Sequence, residues 1–318
     1  MGKSYQRSVK RGGKNGLNFS ENCSLLVCSC DKYATAWYPY FELIKKYWPE
    51  HPQKIYLNTE TKQYHCEGLE IQTINSSGNC TWSQRLYHCL DQIDTKYVVF
   101  SLEDFFLLDY VNQSKMNRCM EWMEEDSSIA VCRFYASNLD KLKKVWKNSE
   151  FRIAESDILY RLDTQVALWN RETLMSFLDL SENPWQFEEK GSKRVAGSEK
   201  KFLWLYQKND FDLDGMIFPY RNNPRYGYGI AWGRWLWNNK VWFEKNQIKN
   251  VDVHKLGVLS ERSVDRRYRM LYCSNPQGMA KVLRAFYRGV DKMEKVTQNV
   301  RIYGFRKGLK ISSVGIKK

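Results

Sequence analysis

The chain has 318 residues, 43% of them hydrophobic and 15% aromatic, enough for one large domain or two modest ones around a substantial core. Its net charge of +14 sits at the ends: residues 1–20 hold five Lys or Arg and no acid, residues 261–318 hold fifteen against four, and residues 21–260 hold thirty against thirty-two. A nearly neutral body argues against a nucleic-acid-binding face, and fits basic tails that seek an anionic surface.

No stretch approaches the roughly 18 consecutive apolar residues of a membrane span. The basic N-terminus lacks the apolar segment of a secretory leader, and Gln6 breaks the myristoylation pattern, so a cytoplasmic location is expected. The nine cysteines are odd in number, lie mostly in apolar segments and form no CxxC pair. Reduced, buried thiols are expected rather than a zinc or redox site.

In chain order, residues 23–33 (CSLLVCSCDKY) read as a buried strand that ends in a polar turn at Asp31. A helix follows over 36–50, with Phe41, Leu43, Ile44, Tyr47 and Trp48 at helical spacing and a stop at Pro49. KIYLNTE (54–60) and GLEIQTIN (68–75) are strands. TWSQRLYHCLDQI (81–93) is an amphipathic helix that Thr81 or Ser83 can cap. KYVVFSLEDFF (96–106) is a strand running into two adjacent acids, a capped helix covers about 111–125, and SIAVCRFYA (128–136) is another strand. This alternation predicts an α/β fold: a mixed, mainly parallel Rossmann-type sheet flanked by helices.

In such sheets ligands bind beyond the carboxyl ends of the strands. Three strand ends here finish in polar or acidic residues: Asp31, Asn58-Thr59-Glu60 and Glu103-Asp104. Hard carboxylate oxygens suit Mg²⁺ or Mn²⁺, which would neutralise charge on a departing diphosphate. The plainer alternative is that Glu103 and Asp104 cap the next helix or pair with Arg85.

The second half begins with a short apolar strand, then a helix from Arg171, and reaches the acidic, aromatic turn ENPWQFEE. There Trp185 and Phe187 stand beside Glu188 and Glu189, a combination that holds a sugar by its C–H face while an acid accepts from a hydroxyl. Seven of the twelve tryptophans fall between Trp169 and Trp242; several belong to the core, and the crowding favours a carbohydrate cleft.

In order, SCDKY, KIYLNTE, TWSQRL, YVVFSLEDFFL, TQVALWNRETL, ENPWQFE and GRW resemble the bacterial glycosyltransferases of capsule and O-antigen gene clusters, enzymes of the GT-A type that use nucleotide-sugar donors. The resemblance covers about residues 23–240 and implies a GT-A-like catalytic domain over 21–260, with a nucleotide-sugar half to about 135 and an acceptor half beyond. It implies Asp104 as metal ligand, with Glu103 supporting the metal or the ribose, although the two acids are adjacent rather than spaced. Ser29, Asp31, Thr59 and Glu60 would line the nucleotide pocket, and Trp82, Ser83 and Arg85 would face the donor. Glu188 would be the general base, with Glu189 in reserve. Gln165, Trp169, Gly233 and Trp235 would shape the sugar end, with Trp185 beside the acceptor. A base at Glu188 implies a single in-line displacement with inversion.

From Gly278 to about Val300 the apolar residues Met279, Val282, Leu283, Phe286, Tyr287, Val290 and Met293 share one helical face, with Lys and Arg largely off it. Such a basic amphipathic helix within 261–318 can rest on an anionic membrane surface through residues 275–318, which suits a lipid-linked saccharide acceptor, or pack on the catalytic domain. A nucleotidyl- or phosphosugar-transferase is the alternative on the same sheet. His254 is a lone histidine, more often packed or solvated than a metal ligand.

Overall fold

The computed structural model describes residues 18–76, 78–137, 142–147, 150–158, 160–207, 213, 215–221 and 227–272. The chain divides into two compact units, Met1–Arg221 and Asn222–Lys318, so the expected catalytic span of 21–260 crosses that division. The expected basic amphipathic helix and membrane segment of 275–318 lie outside the described residues, as does 1–17 of the expected flexible start. Residues 18–20 are ordered into the fold: Asn18 caps the short helix α1 (Phe19–Asn22), and Phe19 is buried.

In the first unit the described residues form one mixed sheet in the order β3-β2-β1-β4-β8-β5-β9-β7-β6. Its strands are β1 (Cys23–Cys28), β2 (Lys54–Thr59), β3 (Ile71–Asn75), β4 (Tyr97–Leu102), β5 (Ile129–Ser137), β6 (Val145–Trp146), β7 (Phe151–Ile153), β8 (Ala167–Asn170) and β9 (Lys201–Tyr206). β3, β2, β1 and β4 are successive parallel neighbours. β8 runs antiparallel between β4 and β5, which restores β5 to the direction of β4, and β9 is parallel to β5. The α/β expectation holds. Its strands in the first 135 residues appear where expected, whereas β9 was not anticipated. KFLWLY is a short apolar run, and such a run has no period that separates strand from buried helix.

Helix α2 (Trp37–Tyr47) forms on its apolar stripe without a side-chain cap, whereas α3 (Trp82–Asp91), α4 (Gln113–Glu125) and α5 (Arg171–Ser176) are capped by Thr81, Asn112 and Asn170. α3 opens with a reciprocal box: Gln84 N–H donates to Thr81 Oγ1 and Thr81 N–H to Gln84 Oε1. Its Leu86, Cys89 and Leu90 join Leu26, Val98, Phe100, Trp169 and Phe202 in the main core. The eight described cysteines are free, and burial pushes up thiols such as that of Cys28, to about 12. No described helix is long and apolar enough to cross a membrane.

The second unit carries a small sheet of β10 (Ile230–Ala231), β11 (Arg234–Leu236) and β12 (Val258–Leu259), with β11 central. β10 and β11 are joined through Trp232 and Gly233, both at positive φ (50° and 76°). A two-residue hairpin loop with positive φ at both positions is the conformation in which Asn-Gly is favoured.

Candidate functional site

The chain places β2 and β3 on one side of β1 and β4 on the other, and such a reversal opens a crevice at the carboxyl ends of the flanking strands. Because β1, β2 and β4 are parallel, Asp31, Glu60, Glu103 and Asp104 emerge at the same edge. The residues just past β1 and β2 are fastened together. Asp31 N–H donates to Glu60 Oε2 (2.8 Å), and Asp31 Oδ1 accepts from Thr59 Oγ1 (2.7 Å) and from the N–H groups of Thr61 and Lys62 (both 3.2 Å). Burial alone would raise the Asp31 carboxyl; the donors from Thr61, Thr59 and Lys62 prevail and hold it well below the usual carboxylate range. Asp31 therefore organises the edge through bonds already made.

Glu103 is buried and Asp104 half-buried. Burial, then the charge of Asp104, push the Glu103 carboxyl well above its ordinary value, against the Glu103 backbone N–H and the Ser29 hydroxyl, which pull it down. Ser29 Oγ in turn accepts from Trp37 Nε1 (2.7 Å). Tyr33, which sequence reading passed over, is pushed up to about 12, first by burial and then by Cys30, Glu103 and Asp104. Among the described residues no three His, Cys, Asp or Glu side chains gather as a metal cage. The two adjacent carboxyls still fit a hard divalent cation that completes its shell with diphosphate and water, because such a cation relieves the like-charge opposition between them.

Arg85 is already engaged at this edge. Its Nη1 lies 3.5 Å from Glu60 Oε1 and donates to the Cys80 carbonyl (3.3 Å), so Glu60 already holds it. Ser83 is fully buried, and its N–H holds the Glu182 carbonyl (3.2 Å) rather than facing a donor. Trp82 is half-buried and packs on Phe187 with ring centroids 5.4 Å apart, joining α3 to the segment that carries Glu188.

That segment is a helix, Pro184–Gln186, running into a π-helical turn over Phe187–Gly191. Such turns recur at functional sites. Glu188 is half-buried, and its Oε1 accepts twice from Thr164, from the N–H (2.9 Å) and from Oγ1 (2.7 Å). Its Oε2 accepts from no donor among the described residues. Glu189 is exposed, and so is Trp185, at 72%.

Residues 163–165 each hold one member of this half. Asp163 Oδ2 lies 2.9 Å from Arg133 Nε, Thr164 holds Glu188, and Gln165 Oε1 accepts from Tyr220 OH (2.6 Å). Tyr220 packs on Phe105 with centroids 4.6 Å apart, next to Asp104 in sequence. A continuous set of contacts thus runs from the residue after the acid pair to the residues that hold Glu188. The Asp163 carboxyl is pushed up to about 6 by burial; Arg133 pulls it down and Glu188 pushes it up. Arg133, Asp163, Thr164 and Tyr220 escaped sequence reading. A lone arginine inside the apolar run IAVCRFYA was the signal available, since buried arginines need partners.

Two aromatic expectations are corrected. Trp169 is a core residue, 3% exposed and edge-on to Phe177 and Phe202, so its ring faces no cleft. Trp235 is fully buried in the second unit, edge-on to Phe243, and Gly233 is in the hairpin turn of that unit. Both rings belong to short strands buried on either face, Ala167–Trp169 and Arg234–Leu236, so a large ring there enters packing whichever way it turns. His254 is exposed, with its N–H on Asp252 Oδ1 (3.1 Å).

No protein-family model matches the chain, and no curated protein matches it. Among solved structures, Staphylococcus aureus TarS 1–349 is 11% identical with a TM-score of 0.36, covering 59% of this chain and 58% of that one. A cytidylyltransferase from Leptospira borgpetersenii serovar Hardjo-bovis is 10% identical with a TM-score of 0.37, covering 59% and 76%. CMP:2-keto-3-deoxy-manno-octonic acid synthetase complexed with CTP is 8% identical with a TM-score of 0.36, covering 59% and 89%. The chain spans 35% of the length of a longer TarS structure. Likenesses this distant fix neither family nor activity, and the fold description rests on the sheet order above.

Proposed function

We propose that the chain is a glycosyltransferase that takes a sugar from a nucleoside-diphosphate donor and places it on a saccharide hydroxyl, in surface-polysaccharide synthesis. The observation that carries this reading is the placement of Asp104, with Glu103, at the switch point of the parallel half, linked through Phe105, Tyr220 and Gln165 to the residue that clamps Glu188.

Asp104, with Glu103 behind it, would hold Mg²⁺ or Mn²⁺, which when bound supplies positive charge beside the leaving diphosphate. Thr59, Glu60 and Asp31 form the floor beneath the nucleotide, and Trp185 offers an exposed ring to the acceptor. Thr164 fixes one oxygen of Glu188, so Oε2 takes the proton from the acceptor hydroxyl as its oxygen attacks the anomeric carbon. A single displacement of this kind inverts that carbon. A lipid-linked acceptor, met by residues 275–318 at an anionic membrane surface, completes the proposal.

Glu188→Gln keeps the shape of the side chain and removes the base. Turnover of a panel of sugar nucleotides should fall at least about 100-fold, while the thermal shift caused by the nucleoside diphosphate stays within error. Retained turnover rejects Glu188 as base. Release of pyrophosphate rather than nucleoside diphosphate would assign the sheet to nucleotidyl transfer.

A further inference from the structure

Arg133 has no part in the chemistry above, yet it is a buried cation with no well-aligned hydrogen bond among the described residues. It lies within β5, paired in register with Ala167 of β8 and Trp204 of β9, and it is 8% exposed. Buried guanidiniums usually spend their N–H groups on acceptors. Arg161 does so, donating to the carbonyls of Ala154, Val195 and Lys200. Arg133 donates no hydrogen bond among the described residues. Its Nε approaches Asp163 without hydrogen-bond alignment and is sealed from solvent, and no described residue accepts from its two terminal nitrogens. The guanidinium is fixed all the same: it lies 4.1 Å from the Trp204 ring centroid and 5.4 Å from that of Tyr135.

An oriented fork with unspent donors awaits acceptor atoms, and the charges around it say which kind. Asp163 already pairs with Arg133, and Asp163 itself feels the charge of Glu188. One cation thus stands against two carboxyls before any ligand arrives. A sugar acid or a phosphate would add a further negative charge to a largely buried cluster, at a desolvation cost that a single shared guanidinium does not offset. Hydroxyl or carbonyl oxygens of a neutral sugar accept the same N–H groups without that cost.

We infer that Arg133 is a sugar-recognition residue whose terminal N–H groups hold oxygens of an uncharged sugar, the one whose hydroxyl Glu188 deprotonates. The identity of the ligand as a sugar rests on the glycosyl-transfer reading; the contact rests on Arg133 alone.

The test titrates the methyl glycosides of glucose, galactose and N-acetylglucosamine, and separately methyl glucuronide and sodium acetate, into the full chain at pH 7.5. The readout is the indole N–H resonance of Trp204, assigned with Trp204→Phe. At least one neutral glycoside should shift it saturably, and Arg133→Met should weaken that binding at least tenfold. Arg133→Lys keeps the charge without the fork and should fall between, which controls for a misfolded methionine variant. The inference is overturned if no neutral glycoside moves the resonance, if the arginine variants bind as the wild type does, or if glucuronide or acetate binds as well as the neutral sugars. Glu188→Gln should retain glycoside binding. Should that variant stay active, the catalytic reading fails while the assignment of Arg133 stands.

Discussion

The two ends of the candidate site are built by opposite means. At the parallel end, Asp31, Glu60, Glu103 and Asp104 stand where strands stop, and strand direction alone brings them to one edge. At the other end the backbone does little. Glu188 sits in a π turn, Arg133 inside a strand, and residues 163–165 before an antiparallel one, and side-chain contacts bring them together. The first arrangement is set by strand direction and then fastened by Asp31, Thr59 and Glu60; the second is assembled mainly by side-chain contacts.

The largest effect should fall at the second end. Thr164→Val removes the hydroxyl that donates to Glu188 Oε1 and leaves the N–H; it should lower kcat by about tenfold or more while KM for the donor stays near wild type. Thr164→Ser should restore most of it, and equal losses in both variants would mean that the clamp is mere packing. Trp169→Ala should cost about 3–5 kcal/mol in chemical denaturation, the usual penalty for an emptied aromatic core position, with no change in sugar binding at the working temperature. A loss of sugar binding without a loss of stability would return Trp169 to the cleft. Thr81→Ala, which removes the α3 cap, should cost about 1 kcal/mol, read by the same denaturation.

The smallest effect is electrostatic. The Asp163 carboxyl should titrate near 6 by carbon NMR, and in Glu188→Gln the midpoint should move down by a fraction of a unit, because one of the charges raising it is gone. The sign also holds for stability. Between 3.8 and about 6 the folded chain keeps a proton that the unfolded chain has lost, so this group's contribution falls as pH rises through that window. An unmoved midpoint in the variant would separate Asp163 from Glu188.

Legibility in the sequence follows the same division. Apolar runs ending in acids gave β1, β2, β4 and their edge, because strand ends and side-chain period are local properties. The direction of β8 is not local, and with it went the meeting of Ala167 and Arg133. The tryptophans misled for a related reason: Trp169 and Trp235 carry the same chemistry as the exposed Trp185, and burial separates them. Glu182, inside ENPWQFEE, carried no signal of its own, yet it is 2% exposed and held by both terminal nitrogens of Arg194 at 3.0 Å.

The hydroxyl of Thr81 has a mechanical consequence. It caps α3 and also donates to the Leu180 carbonyl (2.6 Å), while Ser83 N–H latches the Glu182 carbonyl two residues along. The start of α3 and the peptide leading to Glu188 are therefore bolted together at two successive points. A hinge between them would have to shear both bolts, so the start of α3 and the π turn that carries Glu188 travel as one rigid jaw.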